Sequence, residues 1–140
     1  MGRQITCFLI DDDPDDQEIF TMALEERKMS IRCIAADSGV DALEKLKRDP
    51  LFLPDYIFID LNMPRMTGRE CLVEIKKIPR LAGVPFIIYS TSSESRDINE
   101  TREPGTDYFL TKPYAVSILV NRLYEFFQKM KNHIPMEYQI

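Results

Sequence analysis

The sequence predicts an α/β fold: a five-stranded parallel sheet covered by helices on both faces, a three-layer (βα)5 sandwich. Three observations carry that expectation. Short apolar runs rich in β-branched and aromatic residues alternate five times with longer segments of helical periodicity. The run at 56–59, Tyr-Ile-Phe-Ile, is apolar throughout, as a strand buried on both faces must be. Two runs end abruptly on carboxylates, Ile10 on Asp11 and Ile59 on Asp60, at the strand ends where open α/β sheets place their chemistry.

Residues 5–10 (Ile-Thr-Cys-Phe-Leu-Ile) make the first strand, which runs into Asp11, Asp12 and Asp13. Pro14 suits the first turn of a helix, with Asp15, Asp16 and Glu18 near its positive end. Ile19, Phe20, Ala23 and Leu24 give that helix its apolar side, while Asp13, Asp15 and Asp16 are expected on the solvated surface. Residues 31–36 form the second strand. Ser38 followed by Asp41 opens a second helix, with Val40, Leu43 and Leu46 as its buried stripe. A loop holding Pro50 and Pro54 leads to the strand at 56–59. Thr67 and Glu70 form an S/T-x-x-E capping box for a third helix, with Leu72, Ile75 and Ile78 inward and Pro79 as its stop.

Residues 85–90 (Pro-Phe-Ile-Ile-Tyr-Ser) are the fourth strand, and 107–111 the fifth. Between them a polar helix is expected over 94–103, closed by Pro104-Gly105. The longest helix is expected over 114–131, lined by Leu119, Leu123, Phe126, Phe127 and Met130, with a tail from His133. Tyr89 and Tyr108 are expected to be structural. Right-handed crossovers give the flavodoxin-like order 2-1-3-4-5, which sets strands one and three side by side at the switch point.

Length and charge bound the function. One hundred and forty residues suit one domain with a real core. A net charge of −5 offers no basic field to nucleic acid or an anionic membrane, and no apolar run approaches the roughly 20 residues that span a bilayer. Cys7, Cys33 and Cys71, an odd number scattered through apolar segments, read as buried thiols in a reducing cytosol. His133 is the single histidine, which excludes Cys/His zinc ligation and histidine triads.

Function must come from the carboxyl edge of the sheet. Strand one delivers Asp11 and Asp12 there, and strand three delivers Asp60 beside them. Two carboxylates about 4 Å apart repel by roughly 4 kcal/mol at an effective dielectric near 20, so three need a cation. Hard oxygen ligands of this kind suit Mg²⁺, held by one or two carboxylates, a backbone carbonyl and waters. Strand five adds a positive charge, Lys112, and strand four a hydroxyl, Ser90. Such a set can receive a phosphoryl group on a carboxylate.

Asp11-Asp12 after a strand, Asp60-x-x-Met63-Pro64-x-x-x-Gly68, Ser90 ending strand four and Lys112-Pro113 ending strand five resemble the receiver domain of bacterial response regulators. The resemblance covers residues 5 to 131, and its single-domain, chemotaxis-regulator-like members fit a receiver over 1–132 with no output domain after it. It implies Asp60 as phosphoacceptor. It further implies Asp12 as a direct Mg²⁺ ligand, Asp11 acting through water, and Asp60 and the Asn62 backbone carbonyl as further ligands. Ser90 and Phe109 would be the switch pair, and the Lys112–Pro113 bond would be cis. Serine stands at 90 where threonine is commoner, and phenylalanine at 109 where tyrosine is frequent. The implied protein is a cytoplasmic signalling module that catalyses its own phosphoryl transfer and slow dephosphorylation. Its phosphodonor is a partner histidine kinase or phosphotransfer protein, and its output is a downstream protein contact rather than nucleic acid or membrane.

Other chemistries on this fold fit less well. An FMN carrier needs a hydroxyl-rich phosphate loop after strand one, where Asp11 to Asp16 would repel phosphate. A haloacid-dehalogenase-type phosphatase wants an acid two residues after its nucleophile, where Asn62 stands. The alternative from another class is a receiver-fold adaptor that is never phosphorylated and works by contact alone.

Overall fold

The computed structural model describes residues 4–91 and 107–133. Five strands, β1 (Ile5–Ile10), β2 (Ile31–Ala36), β3 (Tyr56–Ile59), β4 (Phe86–Ser90) and β5 (Tyr108–Thr111), form one parallel sheet in the order β2-β1-β3-β4-β5. The helices are α1 (Pro14–Glu26), α2 (Gly39–Arg48), α3 (Gly68–Lys76) and α4 (Val116–His133), with a 3₁₀ turn at Pro79–Leu81. The helix expected over 94–103 and the Pro104-Gly105 stop lie outside the described residues. None of the described helices is long and apolar enough to cross a membrane.

The period-2 alternation of strand side chains splits the core in two. Phe8, Ile10, Ile57, Ile59, Phe86 and Ile88 face α2 and α3. Cys7, Leu9, Tyr56, Phe58, Ile87 and Tyr89 face α1 and α4. Phe20 of α1 meets Phe58 and Tyr89 edge-on, at ring-centroid separations of 5.0 and 5.4 Å. Tyr108 touches Phe126 in the same way at 5.6 Å, so both tyrosines have packing roles. Burial pushes the Cys33 thiol up to about 11 and Cys71 to about 12, which keeps both protonated and inert at neutral pH.

Two aspartates fix the strand register. Asp55 Oδ2 accepts from Thr6 N–H at 2.8 Å while its own N–H donates to Thr6 O at 2.8 Å, seating β3 beside β1. Asp107 repeats the device on Phe86, at 2.9 and 3.0 Å, seating β5 beside β4. A one-residue slip would turn every side chain to the other face, so these clamps also decide which residues emerge at the far edge.

The caps follow the sequence. Thr67 Oγ1 accepts from Glu70 N–H and Glu70 Oε1 from Thr67 N–H, closing the expected box on α3. Thr67→Ala is expected to lower unfolding free energy by about 1 kcal/mol, read by urea denaturation. On α2 the buried stripe is Gly39, Ala42 and Leu46, with Leu43 partly buried. Val40, expected inside, is half exposed. The small residues turn inward because α2 lies close to α3: Gly39 meets the Met66 side chain, and the Cys71 thiol sits 3.9 Å from Gly39 O. The helix expected to end at 131 continues to His133, which takes that residue out of the tail. No peptide bond among the described residues is cis, so Lys112–Pro113 is trans, contrary to the bond the resemblance implies; the trans form is also the intrinsically favoured one.

Candidate functional site

The residues expected at the carboxyl edge meet there. Asp60 N–H donates to Ile10 O at 3.0 Å, continuing the β3–β1 ladder by one residue and bringing the Asp60 carboxylate beside Asp11. Lys112 N–H donates to Ser90 O at 2.8 Å, doing the same between β5 and β4. Asp11, Asp12 and Asp60 each offer a carboxylate oxygen within 4.8 Å of the others. Asp11 is fully buried, Asp60 nearly so, and Asp12 exposed.

The Lys112 ammonium lies 2.9 Å from Asp11 Oδ2, 2.8 Å from Asp16 Oδ2 and 3.4 Å from Asp60 Oδ2. It also stands 5.3 Å from the centre of the Tyr89 ring. Burial works against its charge, but the hydrogen bond to Asp16 and the charges of Asp11 and Asp60 outweigh that and raise its pKa above the ordinary lysine value. Asp16, expected in solvent, is thus part of the site. Asp13, expected there too, is exposed and also caps α1, its Oδ1 accepting from Asp15 N–H at 2.9 Å.

Asp11 shows the opposite balance. Burial pushes its carboxyl up to about 6, the Asp13 N–H and Lys112 pull it down, and the Asp60 charge pushes it up again. Its Oδ1 accepts from Asp13 N–H at 3.0 Å. Its Oδ2 forms an ion pair with Lys112 at 2.9 Å but has no aligned hydrogen bond among the described residues. A buried carboxylate lone pair without an aligned hydrogen bond, in a group of three acids, is what a hard divalent cation needs from a protein.

Asp60 is held from the other side. Ser90 Oγ donates to Asp60 Oδ1 at 3.1 Å and accepts from Leu61 N–H at 3.1 Å. Asn62 N–H also points to Asp60 Oδ1, at 3.3 Å. Oδ1 therefore faces hydroxyl and backbone donors, and Oδ2 faces the lysine. Phe109 pairs with Ile88 and is half-buried against the α2–α3 side of the core.

Gly68 shapes the loop that carries this chemistry. Its N–H donates to Leu61 O at 3.0 Å, folding 60–68 back on itself. A Cβ there would lie 2.2 Å from the Asp60 carbonyl oxygen. Arg65, inside the loop, takes φ 69°, the left-handed region. Sequence reasoning missed Gln17, whose Nε2 donates to Asp11 O at 2.7 Å and Asp37 Oδ1 at 3.0 Å. Its only sequence signal is position: one helical turn after the Asp13 cap, a polar residue faces back toward the strand end.

Comparison with known proteins agrees with this geometry. A family model described as the response regulator receiver domain matches residues 7–124. The two-component response regulator ORR5 of Oryza sativa subsp. japonica is 38% identical over 108 residues, 77% of this chain and 78% of the relative. The sensor histidine kinase CheAY of Helicobacter pylori is 30% identical over 106 residues, 76% of this chain and 13% of that protein. Among solved structures, the phosphorylated cyanobacterial phytochrome response regulator RcpA superposes with a TM-score of 0.78 at 27% identity, covering 89% of this chain and 91% of that one. A family match over so much of the chain, on a sheet of this order, leads to one assignment: the chain belongs to the response regulator receiver domains of two-component systems.

Proposed function

We propose that Asp60 accepts a phosphoryl group from a histidine on a partner kinase or phosphotransfer protein, and that Mg²⁺ is required. The carrying observation is the convergence on Asp60 of an ammonium at Oδ2 and a hydroxyl at Oδ1. In the transfer the phosphorus–nitrogen bond to the donor breaks, a bond to an Asp60 carboxylate oxygen forms, and a proton returns to the donor imidazole. Phosphoryl transfer asks the protein for positioning and charge neutralisation more than covalent help.

Each residue has a part in that. Ser90, its oxygen engaged by Leu61 N–H, directs its proton at Asp60 Oδ1 and fixes the carboxylate plane. Lys112 offsets the charge arriving at Oδ2. Asp11, Asp12, Asp60 and the backbone carbonyl of Asn62 would hold the magnesium ion, and the Asp11 Oδ2 without an aligned hydrogen bond is the observation that fits it. Bound there, the ion would supply positive charge against the phosphoryl oxygens. That the RcpA structure is of a phosphorylated response regulator, and that the CheAY relative is a sensor histidine kinase, supports both the modification and the donor class.

The output is a switch. Phosphorylation adds about one negative charge at Asp60. Ser90 then turns its hydroxyl to a phosphoryl oxygen, and Phe109, across from Ile88, repacks as the strand end moves. A downstream protein reads the changed surface. Incubation with acetyl phosphate and Mg²⁺ is expected to add the mass of one phosphoryl group to the wild type and none to Asp60→Asn. Chelating the metal with EDTA should abolish the gain. An unchanged wild-type mass would leave the phosphorylation-independent adaptor as the reading.

A further inference from the structure

Lys112 is shared. Of its three carboxylate neighbours, Asp16 is the nearest, at 2.8 Å, and its contact is aligned as a hydrogen bond; Asp60 is the farthest, at 3.4 Å. Asp16 stands in the first turn of α1, on an element that carries none of the other residues grouped here, and its side chain is 30% exposed against 11% for Lys112. The ammonium is therefore drawn toward the mouth of the site and away from the carboxylate that carries the chemistry. Three donors on an ammonium can serve three acceptors only where the geometry allows, and a charge-assisted hydrogen bond to one acceptor is lost if the group moves fully to another.

We propose that Asp16 is a positioning residue that competes with the group on Asp60 for the Lys112 ammonium, and so sets how firmly a phosphoryl group is held. The inference rests on the phosphoryl-acceptor reading of Asp60. When a phosphoryl group arrives, its oxygens extend beyond Asp60 Oδ2 toward Lys112, which must loosen its bond to Asp16 to meet them. Removing the Asp16 charge releases Lys112 beforehand. Asp15 is the control: it is a neighbouring carboxylate on the same turn, exposed, and outside the group around Lys112.

The test uses beryllofluoride, a phosphoryl mimic, with Mg²⁺ on the full chain, following binding by ¹⁹F NMR. Asp16→Asn is expected to bind about tenfold more tightly than wild type, the scale of one charged hydrogen bond. Asp15→Asn, which makes the same change in net charge, should stay within about twofold. A second readout needs no ligand: in a crystal structure of metal-free Asp16→Asn, Lys112 Nζ should close on Asp60 Oδ2. An equal gain in both variants, no gain in Asp16→Asn, or an unmoved Lys112 overturns the competition while leaving the acceptor reading intact. Absence of beryllofluoride binding and of acetyl-phosphate labelling in the wild type overturns the acceptor reading, and the competition with it.

Discussion

Gly68→Ala is expected to lower unfolding free energy by about 2–3 kcal/mol and, in the protein that still folds, to slow phosphorylation by acetyl phosphate about 100-fold. The added Cβ would sit 2.2 Å from the Asp60 carbonyl oxygen and 2.8 Å from both the Asp60 carbonyl carbon and Leu61 Cα. These are backbone atoms of the strand end, so no rotamer change relieves the contact. Either the 60–68 loop opens, losing the Gly68 N–H bond to Leu61 O, or Asp60 moves. Alanine gains roughly 0.5–1 kcal/mol over glycine inside a helix, which offsets part of the cost but far from all of it. Gly39→Ala is the contrast: the three atoms nearest its Cβ would all belong to the Met66 side chain, 2.7 Å from Sδ, and a thioether can swing aside. That variant should change stability by less than about 1 kcal/mol. Urea denaturation of the pair decides the matter: equal stabilities would mean the 60–68 loop is not closed over Gly68.

The same position shows what the sequence could and could not reveal. Gly68 stood out by its spacing from Asp60, yet only the fold shows that it is the Asp60 carbonyl a side chain would strike. The strands and their order were legible because apolar runs end on Asp11, Asp60, Ser90 and Lys112, and a parallel sheet must bring those ends to one edge. The Thr67–Glu70 box was legible because its partners lie three residues apart. Asp16 and Lys112 lie 96 residues apart, and nothing local distinguishes Asp16 from Asp15. The clamps of Asp55 on Thr6 and Asp107 on Phe86 were hidden for the same reason. Val40 misled because α2 carries apolar residues on two adjoining stripes. The choice between them is made by the close approach to α3, which admits Gly39 and Ala42. Local chemistry is written in local spacing, whereas an ion pair across the sheet exists only after the chain has closed.

Without metal, the Asp11 site should make the protein less stable as pH rises from about 4 to about 6, and Mg²⁺ should reverse that slope. The folded carboxyl titrates near 6, against 3.8 for the free group, because burial disfavours its charge more than Lys112 and the Asp13 N–H favour it. Between those values the folded state holds a proton that the unfolded state has released. Its stabilising share is therefore complete below about 4 and gone above about 6. A rise of about two units corresponds to about 3 kcal/mol. Asp41, whose carboxyl burial alone would raise but whose hydrogen bonds with Asp37 N–H and Lys45, joined by the charges of Lys45 and Arg48, together lower, slopes the other way on the acid side. The measurement is thus a difference: unfolding free energy of Asp11→Asn minus that of wild type, by urea, from pH 4 to pH 7. It should grow with pH by up to about 3 kcal/mol, leaving the variant the more stable at neutrality. Saturating Mg²⁺ should stabilise wild type well above pH 6 and little near pH 4, where a protonated Asp11 cannot serve as a ligand. A flat difference across the range would mean that Asp11 keeps its charge at no cost, and that the buried Oδ2 is not waiting for a cation.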